Sequence, residues 1–259
     1  MATRIGSVTG LYRYPVKSMS GESLPTAEVG FAGIEGDRSF GLIDRATGRL
    51  LSAKTVPALL QARATFDDGG ATVTLPGDVV VRSDDADLDA RVSEWLGRDV
   101  MMQRPGSDRA DIDIIVDLTE RGGGPADLFT FQSMPGAFFD STPLHVLTTK
   151  SLASMRAGYP VGDWSIERFR PNVVIALDDP TDEFPEDAWV GSVLRIGELT
   201  FDVRKRCDRC VLTTRDFPSG RGNPEILRTL HRVHGGDLGV KVVPLTEGPV
   251  SSGDPVELV

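Results

Sequence analysis

The chain has 259 residues, 40% of them hydrophobic, enough apolar material for a sizeable core and consistent with one or two domains. Its 28 Lys and Arg against 38 Asp and Glu leave a net charge of −10, which argues against broad nucleic-acid binding but leaves room for a local anion site. Two cysteines, Cys207 and Cys210, are too few for a disulfide-dense secreted scaffold or a four-thiolate iron–sulfur cluster.

The first residues lack the apolar stretch of a signal peptide, and no run approaches the roughly 18 apolar residues of a membrane span. A soluble cytoplasmic protein without a membrane partner is the expectation. With 28 Gly and 17 Pro spread along the chain, turns are frequent and helices short, which favours a strand-rich α+β fold.

In chain order, strand-like runs separated by turn signals cover 5–14, 41–44, 60–66, 71–75 and 79–81, a spacing suited to a small antiparallel sheet or barrel. Acidic residues at 84–89 lead into a short helix over 90–96 that stops at Gly97. From about 106 to 136 the chain turns polar and glycine-rich, the best candidate for a linker or long loop. A helix is predicted over 148–156, a buried strand over 171–177 and further strand pattern over 193–203. The stretch 223–235 has Asn223 as N-cap, Pro224 at the first helical position and Gly235 as terminator. Its His231 and His234 are spaced to share a metal, although capping and solvating the last turn is the simpler expectation. Strand-like runs around a tight turn, 241–245 and 253–258, close the chain.

The segment Arg204-Lys205-Arg206-Cys207-Asp208-Arg209-Cys210 carries four cations and one acid inside an acidic protein. Cations beside a thiol favour thiolate, the nucleophilic and metal-binding form, so charge and sulfur point to one site. Several readings remain open: a redox dithiol, a zinc site, two unremarkable cysteines in a surface patch, or a thiolate for a soft metal or sulfur beside cations that hold an anion. The dithiol reading wants a helix after the first cysteine, whereas Val211 to Thr214 reads as strand or turn. Zinc wants about four ligands, and beyond the two thiols only His145, His231 and His234 are to hand.

Other polar clusters sit at the ends of strand-like runs. They are Lys17-Ser18 after Tyr14-Pro15-Val16, Arg38 after Gly36-Asp37, the hydroxyls of Ser141 and Thr142 after Asp140, and Arg168-Phe169-Arg170-Pro171-Asn172. The last offers a fork of donors suited to phosphate, then an amide able to read a heterocycle edge. Each also reads as a solvated turn or a cap.

Taken together, Leu11 to Ser18, Gly36-Asp37-Arg38, Asp140-Ser141-Thr142-Pro143, Arg168 to Ile175, Cys207 to Asp216 and the closing Gly253-Asp254-Pro255-Val256 resemble, in order, the MOSC superfamily. The resemblance is to the subgroup with a preceding MOSC N-terminal β-barrel domain. It implies a MOSC β-barrel with short helices over 116–259 and a smaller N-terminal β-rich domain over 1–115. It also implies molybdenum cofactor, a pterin dithiolene with a phosphate tail, as the bound group. By this resemblance Cys210 supplies the thiolate to molybdenum, and Lys17, Ser18, Arg38, Ser141, Thr142, Arg170 and Asn172 contact the cofactor, with Asp208 and Arg209 beside the metal. No bond is assigned to Cys207. The implied activity is reduction of small N-hydroxylated compounds (hydroxylaminopurines, amidoximes, hydroxylamines), with electrons from a separate ferredoxin- or flavin-reductase-type protein. The alternatives are a carrier or store of the cofactor, a sulfur-handling protein, and a CxxC zinc or dithiol module.

Overall fold

The computed structural model describes residues 2–106, 111–116, 127–132, 138–216, 219 and 221–259. The chain opens with β1 (Thr3–Arg13), β2 (Glu22–Leu24), β3 (Thr26–Gly30) and β4 (Gly33–Ile34). Next come β5 (Gly41–Asp44), β6 (Arg63–Asp67), β7 (Gly70–Leu75), β8 (Val79–Arg82), helix α1 (Leu88–Leu96) and β9 (Val100–Gln103). Strands β10 (Asp111–Val116) and β11 (Asp127–Gln132) pair antiparallel. The second half begins with β12 (Leu144–Thr148), α2 (Thr149–Gly158), α3 (Ile166–Phe169), β13 (Val173–Leu177), β14 (Val193–Ile196) and β15 (Leu199–Asp208). It ends with α4 (Pro224–His234), β16 (Asp237–Pro244), β17 (Gly248–Ser251) and β18 (Pro255–Leu258).

Seven strands, β13-β12-β16-β15-β14-β18-β1, form a barrel that closes because β1 returns to pair with β13. Only side chains of alternate residues face inward along each strand, so the interior fills with Val8, Val146, Ile175, Leu194, Phe201, Val203, Val240, Val242 and Val256. Each such burial contributes about 1.5–3 kcal/mol. Closure demands one very close backbone approach: a Cβ at Gly6 would stand 2.1 Å from the Ala176 carbonyl oxygen, so glycine is required there. The barrel of the second half thus takes its closing strand from the start of the chain, and the boundary expected at 115/116 falls within β10.

The smaller body has a separate core. The strict alternation of β7 buries Ala71, Val73 and Leu75, and α1 turns Leu88 and Val92 onto them. Leu60, expected to lead a strand over 60–66, is instead buried with Leu59 in a 3-10 turn (Pro57–Gln61). Pro57 at its first position pre-sets that backbone. The run 193–203 is a hairpin rather than one strand, broken where Gly197 takes φ +56°. In the segment expected as a loop, 106–136, the described parts form β10 and β11; residues 107–110, 117–126 and 133–137 lie outside the described residues.

Helix α4 follows its sequence signature: Asn223 Oδ1 accepts the Glu225 amide at 3.2 Å, and Gly235 caps it at φ +63°. His234 does not serve as a ligand or a solvated cap. Its Nε2 meets Asp187 Oδ2 at 2.8 Å, its Nδ1 meets Asp237 O at 2.9 Å, and its ring stacks on Phe184. Among the described residues, no helix is long and apolar enough to cross a membrane.

Candidate functional site

The two cores meet at a half-open cleft with an enclosed volume of about 160 Å3. One wall comes from the smaller body and the turn after β1. There the Lys17 ammonium donates to Phe138 O at 2.9 Å and to Asp140 Oδ1 at 2.6 Å, while Ser18 Oγ accepts the Ala53 amide at 2.9 Å. Arg38 enters from the turn after Gly36 and pairs with Asp37. Ser141 and Thr142 continue the wall beyond Asp140.

The barrel supplies the other wall. Arg170 ends α3 in the left-handed conformation and donates to Met19 O at 2.5 Å. Its guanidinium and that of Arg38 both lie over the buried Tyr14 ring, at 4.2 and 4.6 Å from its centroid. Tyr14 in turn donates to Pro171 O. Of the five non-glycine residues with positive φ among the described residues, Ser18, Arg38 and Arg170 line this cleft. Such backbone costs about 1–3 kcal/mol per residue and persists where packing over-determines it, as it does at functional sites.

Strand β15 ends at Asp208, and the chain then turns through Arg209 and Cys210 into a 3-10 turn (Val211–Thr214). The segment after the second cysteine is therefore one tight helical turn. Cys210 caps it with an exposed thiol, whereas Cys207 is buried and accepts from Arg209 Nη1 at 2.9 Å. Arg209 Nη2 donates to Phe169 O at 2.8 Å, and its buried Nε has no partner. Asp208 accepts from Lys241 on β16 at 3.1 Å.

All ten residues singled out from the sequence line this one cleft: Lys17, Ser18 and Arg38 on the first wall with Ser141 and Thr142, then Arg170, Asn172, Asp208, Arg209 and Cys210. Three expectations need correction. Arg168, read as half of a phosphate fork, is fully buried behind the site, donating to Thr213 O, Arg215 O, Asp163 and Asp216; it clamps the turn that follows Cys210. The basic run contributes only Arg209 to the cleft. Arg204, Lys205 and Arg206 stand exposed on β15 and pair with Asp202, Asp208, Asp187 and Asp237. Asn172 lines the cleft, but its amide donates to Tyr12 O and Asp37 and accepts the His145 amide, so it braces β1 against β12.

Sequence reading missed Lys54, Lys241, Ser52 and His145 as wall residues. The Lys54 side chain is only 10% exposed and reaches Asp140 Oδ2 at 3.2 Å. No pattern in its neighbourhood marks it. With them, six cationic side chains face two carboxylates, and both carboxylates are already held by lysines.

Electrostatics follow from that imbalance. Burial, then the neighbouring Arg38, draws the Arg170 guanidinium down to about 10. Burial likewise lowers Lys17, with Asp140 opposing. Desolvation works against the charge on Asp140, but Lys17 and Lys54 overcome it and hold the carboxyl well below its ordinary range. A cleft with crowded buried cations, an unpaired guanidinium N–H and an exposed thiol fits an anionic group that also takes a soft sulfur ligand. Among the described residues, no group of three or more His, Cys, Asp or Glu side chains is placed to hold a metal unaided.

The barrel, the joined strand-rich body and the cleft between them define a class. The family model described as MOSC domain matches residues 133–257, and that described as MOSC N-terminal beta barrel domain matches 5–107. The chain belongs to the MOSC-domain proteins that carry this N-terminal domain. Among its relatives is mitochondrial amidoxime reducing component 2 of Bos taurus, 27% identical over 84% of this chain and 68% of that protein. Mitochondrial amidoxime-reducing component 1 of Homo sapiens is 26% identical over 99% of this chain and 84% of that protein. Molybdenum cofactor sulfurase of Drosophila grimshawi is 26% identical over 87% of this chain, which spans 30% of that protein. The YUAD protein from Bacillus subtilis, 13% identical, superposes with a TM-score of 0.50 over 100% of this chain and 98% of that one, a likeness of fold.

Proposed function

We propose that the protein binds molybdenum cofactor in this cleft and is an oxidoreductase that reduces small N-hydroxylated compounds. The observation that carries the reading is the convergence of the exposed Cys210 thiol with six cationic side chains on one cleft. Kinship to amidoxime reducing components supports the reaction class.

Cys210, two residues beyond the end of β15 and at the start of the turn that Arg168 clamps, would ligate the metal through Sγ. Arg170, Arg38, Lys17 and Lys54 would hold the anionic tail, with the hydroxyls of Ser141 and Thr142 as further donors. Asp208 and Arg209 would stand beside the metal. When bound, the cofactor supplies a metal that exchanges two electrons with substrate. Reduction of R–NH–OH takes up two electrons and two protons, breaks the N–O bond and leaves R–NH2 and water. The electrons would come from a separate donor protein of ferredoxin or flavin-reductase type. The protein's part is to fix the thiolate, neutralise the anion and shield the reacting group from water.

The test uses protein made in a host that produces the cofactor. Molybdenum, pterin released on denaturation and consumption of an amidoxime with an artificial electron donor are measured for the native chain and for Cys210→Ala. Native protein should carry both and turn over, and the variant should lose molybdenum ligation and activity; a fully active, molybdenum-loaded variant overturns the assignment. A second reading is a non-catalytic carrier of the cofactor or a sulfur-handling protein, and the sulfurase likeness supports the sulfur-handling form of it. Loaded native protein that consumes no N-hydroxylated compound would favour it.

A further inference from the structure

His145, on β12, is buried in the cleft wall and is used by no part of the reading above. Its Nε2 lies 3.1 Å from the Leu238 carbonyl oxygen. A carbonyl only accepts, so Nε2 carries the ring proton and Nδ1 presents a lone pair. The Nε2–Cδ2 edge lies against β16: a Cβ at Gly239 would stand 2.4 Å from Nε2 and 3.1 Å from Cδ2. The opposite edge, with Nδ1, is therefore turned away from that strand.

Among the described residues no donor meets Nδ1, and His145 is part of the cleft lining. Burial first, then Arg209, with Lys241 and Arg38 adding to it and the Leu238 bond opposing, hold the ring down to about 3. The imidazole is thus neutral across the physiological range. The carboxylates in the lining, Asp140 and Asp208, are committed to lysines, so Nδ1 is an uncommitted neutral acceptor in a donor-rich cleft.

We propose that His145 is a specificity-determining residue of the cleft, its Nδ1 accepting a hydrogen bond from an N–H or O–H of the group bound there. This rests on the cofactor reading. The cations select the anionic part of the ligand, and His145 selects for a donor at one point of the neutral part. A ligand with an acceptor at that point would face an unpaired lone pair, and one with a donor would satisfy it. Two sources share this chemistry, the pterin ring of the cofactor and the N–OH group of a substrate.

The test is imidazole nitrogen NMR on 15N-histidine-labelled protein, which has three histidines, with His145 identified by the spectrum of His145→Phe. Four samples are compared: protein from a cofactor-deficient host, the same with inorganic phosphate, protein from a cofactor-producing host, and that protein with benzamidoxime. The unprotonated Nδ1 resonance should shift to the hydrogen-bonded position on loading if the pterin is the donor, or on adding benzamidoxime if the substrate is. Phosphate alone should leave it in place. In the pterin case His145→Phe, which keeps the ring volume, should release pterin about tenfold faster.

A resonance that does not move in either loaded sample overturns the inference, as does one that moves equally with phosphate. Molybdenum and pterin are assayed on the same samples. Loaded protein with an unmoved resonance refutes His145 alone, whereas no molybdenum or pterin from a competent host refutes the cofactor reading and this inference with it.

Discussion

Two buried ionisable side chains show how far single residues shape this protein. Arg168 is a cation whose side chain has no exposure, tied to two carbonyls and two half-exposed carboxylates around the Cys210 turn. Replacing it with Met should cost about 3 kcal/mol, because four acceptors lose a charged donor together. Chemical denaturation would register this as a fall in midpoint. Glu186 is the second. Its Oε2 accepts from Thr148 at 2.8 Å and Ser151 at 2.6 Å, its Oε1 is buried without a partner, and burial raises its carboxyl above the ordinary value. A carboxyl raised in the folded state contributes stability below its unfolded value, near 4.5, and that contribution is lost as pH rises through the folded value. Glu186→Gln should therefore gain on the native chain as pH rises from 4.5 towards 8, and a thermal-melting series across that range would show it. A gap that stays constant would count against the assignment. Neither residue was legible as structural: Arg168 shares its wording with Arg170, and only the direction of α3 separates a clamp from a cleft cation.

At the scale of elements, the signals that carried through were local ones. Asn223-Pro224 and Gly235 set α4, Gly97 ended α1, and alternation set β7, because capping and period-2 patterning act within a few residues. What stayed hidden depends on pairing between distant segments. The short strands β2, β3, β4 and β17 have too few residues to show a period, and β1 gives no sign that it closes a barrel with β13 and β18. The same holds for the cleft, where Lys54 and Lys241 arrive from elements whose sequences carry no motif. Strand β16 offers a test of such distant coupling. Gly239 has φ +78°, and a Cβ there would also stand 2.5 Å from Val146 O, so both the backbone and the neighbouring β12 demand glycine. Gly239→Ala should destabilise by about 3 kcal/mol, combining left-handed strain with overpacking against His145. Asn223→Ala should cost about 1 kcal/mol through loss of the α4 cap. The two melting temperatures should rank in that order.

Over the whole molecule, a net charge of −10 surrounds a cleft whose lining is predominantly cationic. These fields have different ranges. The surface charges lie in water and are screened within about 8–10 Å at physiological ionic strength, whereas the cleft cations act through low-dielectric walls and are screened less. An anion therefore meets repulsion at a distance and attraction inside. This predicts an inversion in salt dependence that an ordinary surface site would not show. From low to moderate salt the association rate of pyrophosphate with protein from a cofactor-deficient host should rise, or hold, as the acidic surface is screened. Its affinity should weaken only at higher salt, where the cleft contacts themselves are competed. Lys54→Met, which removes a cleft cation and frees one oxygen of Asp140, should weaken pyrophosphate affinity about tenfold and leave the low-salt rate behaviour in place. Stopped-flow and calorimetric titrations across ionic strength separate these quantities. A rate that falls steeply from the lowest salt, as for a protein steered by its overall field, would mean that the basic lining dominates outside the cleft and that the acidic surface has no part in gating it.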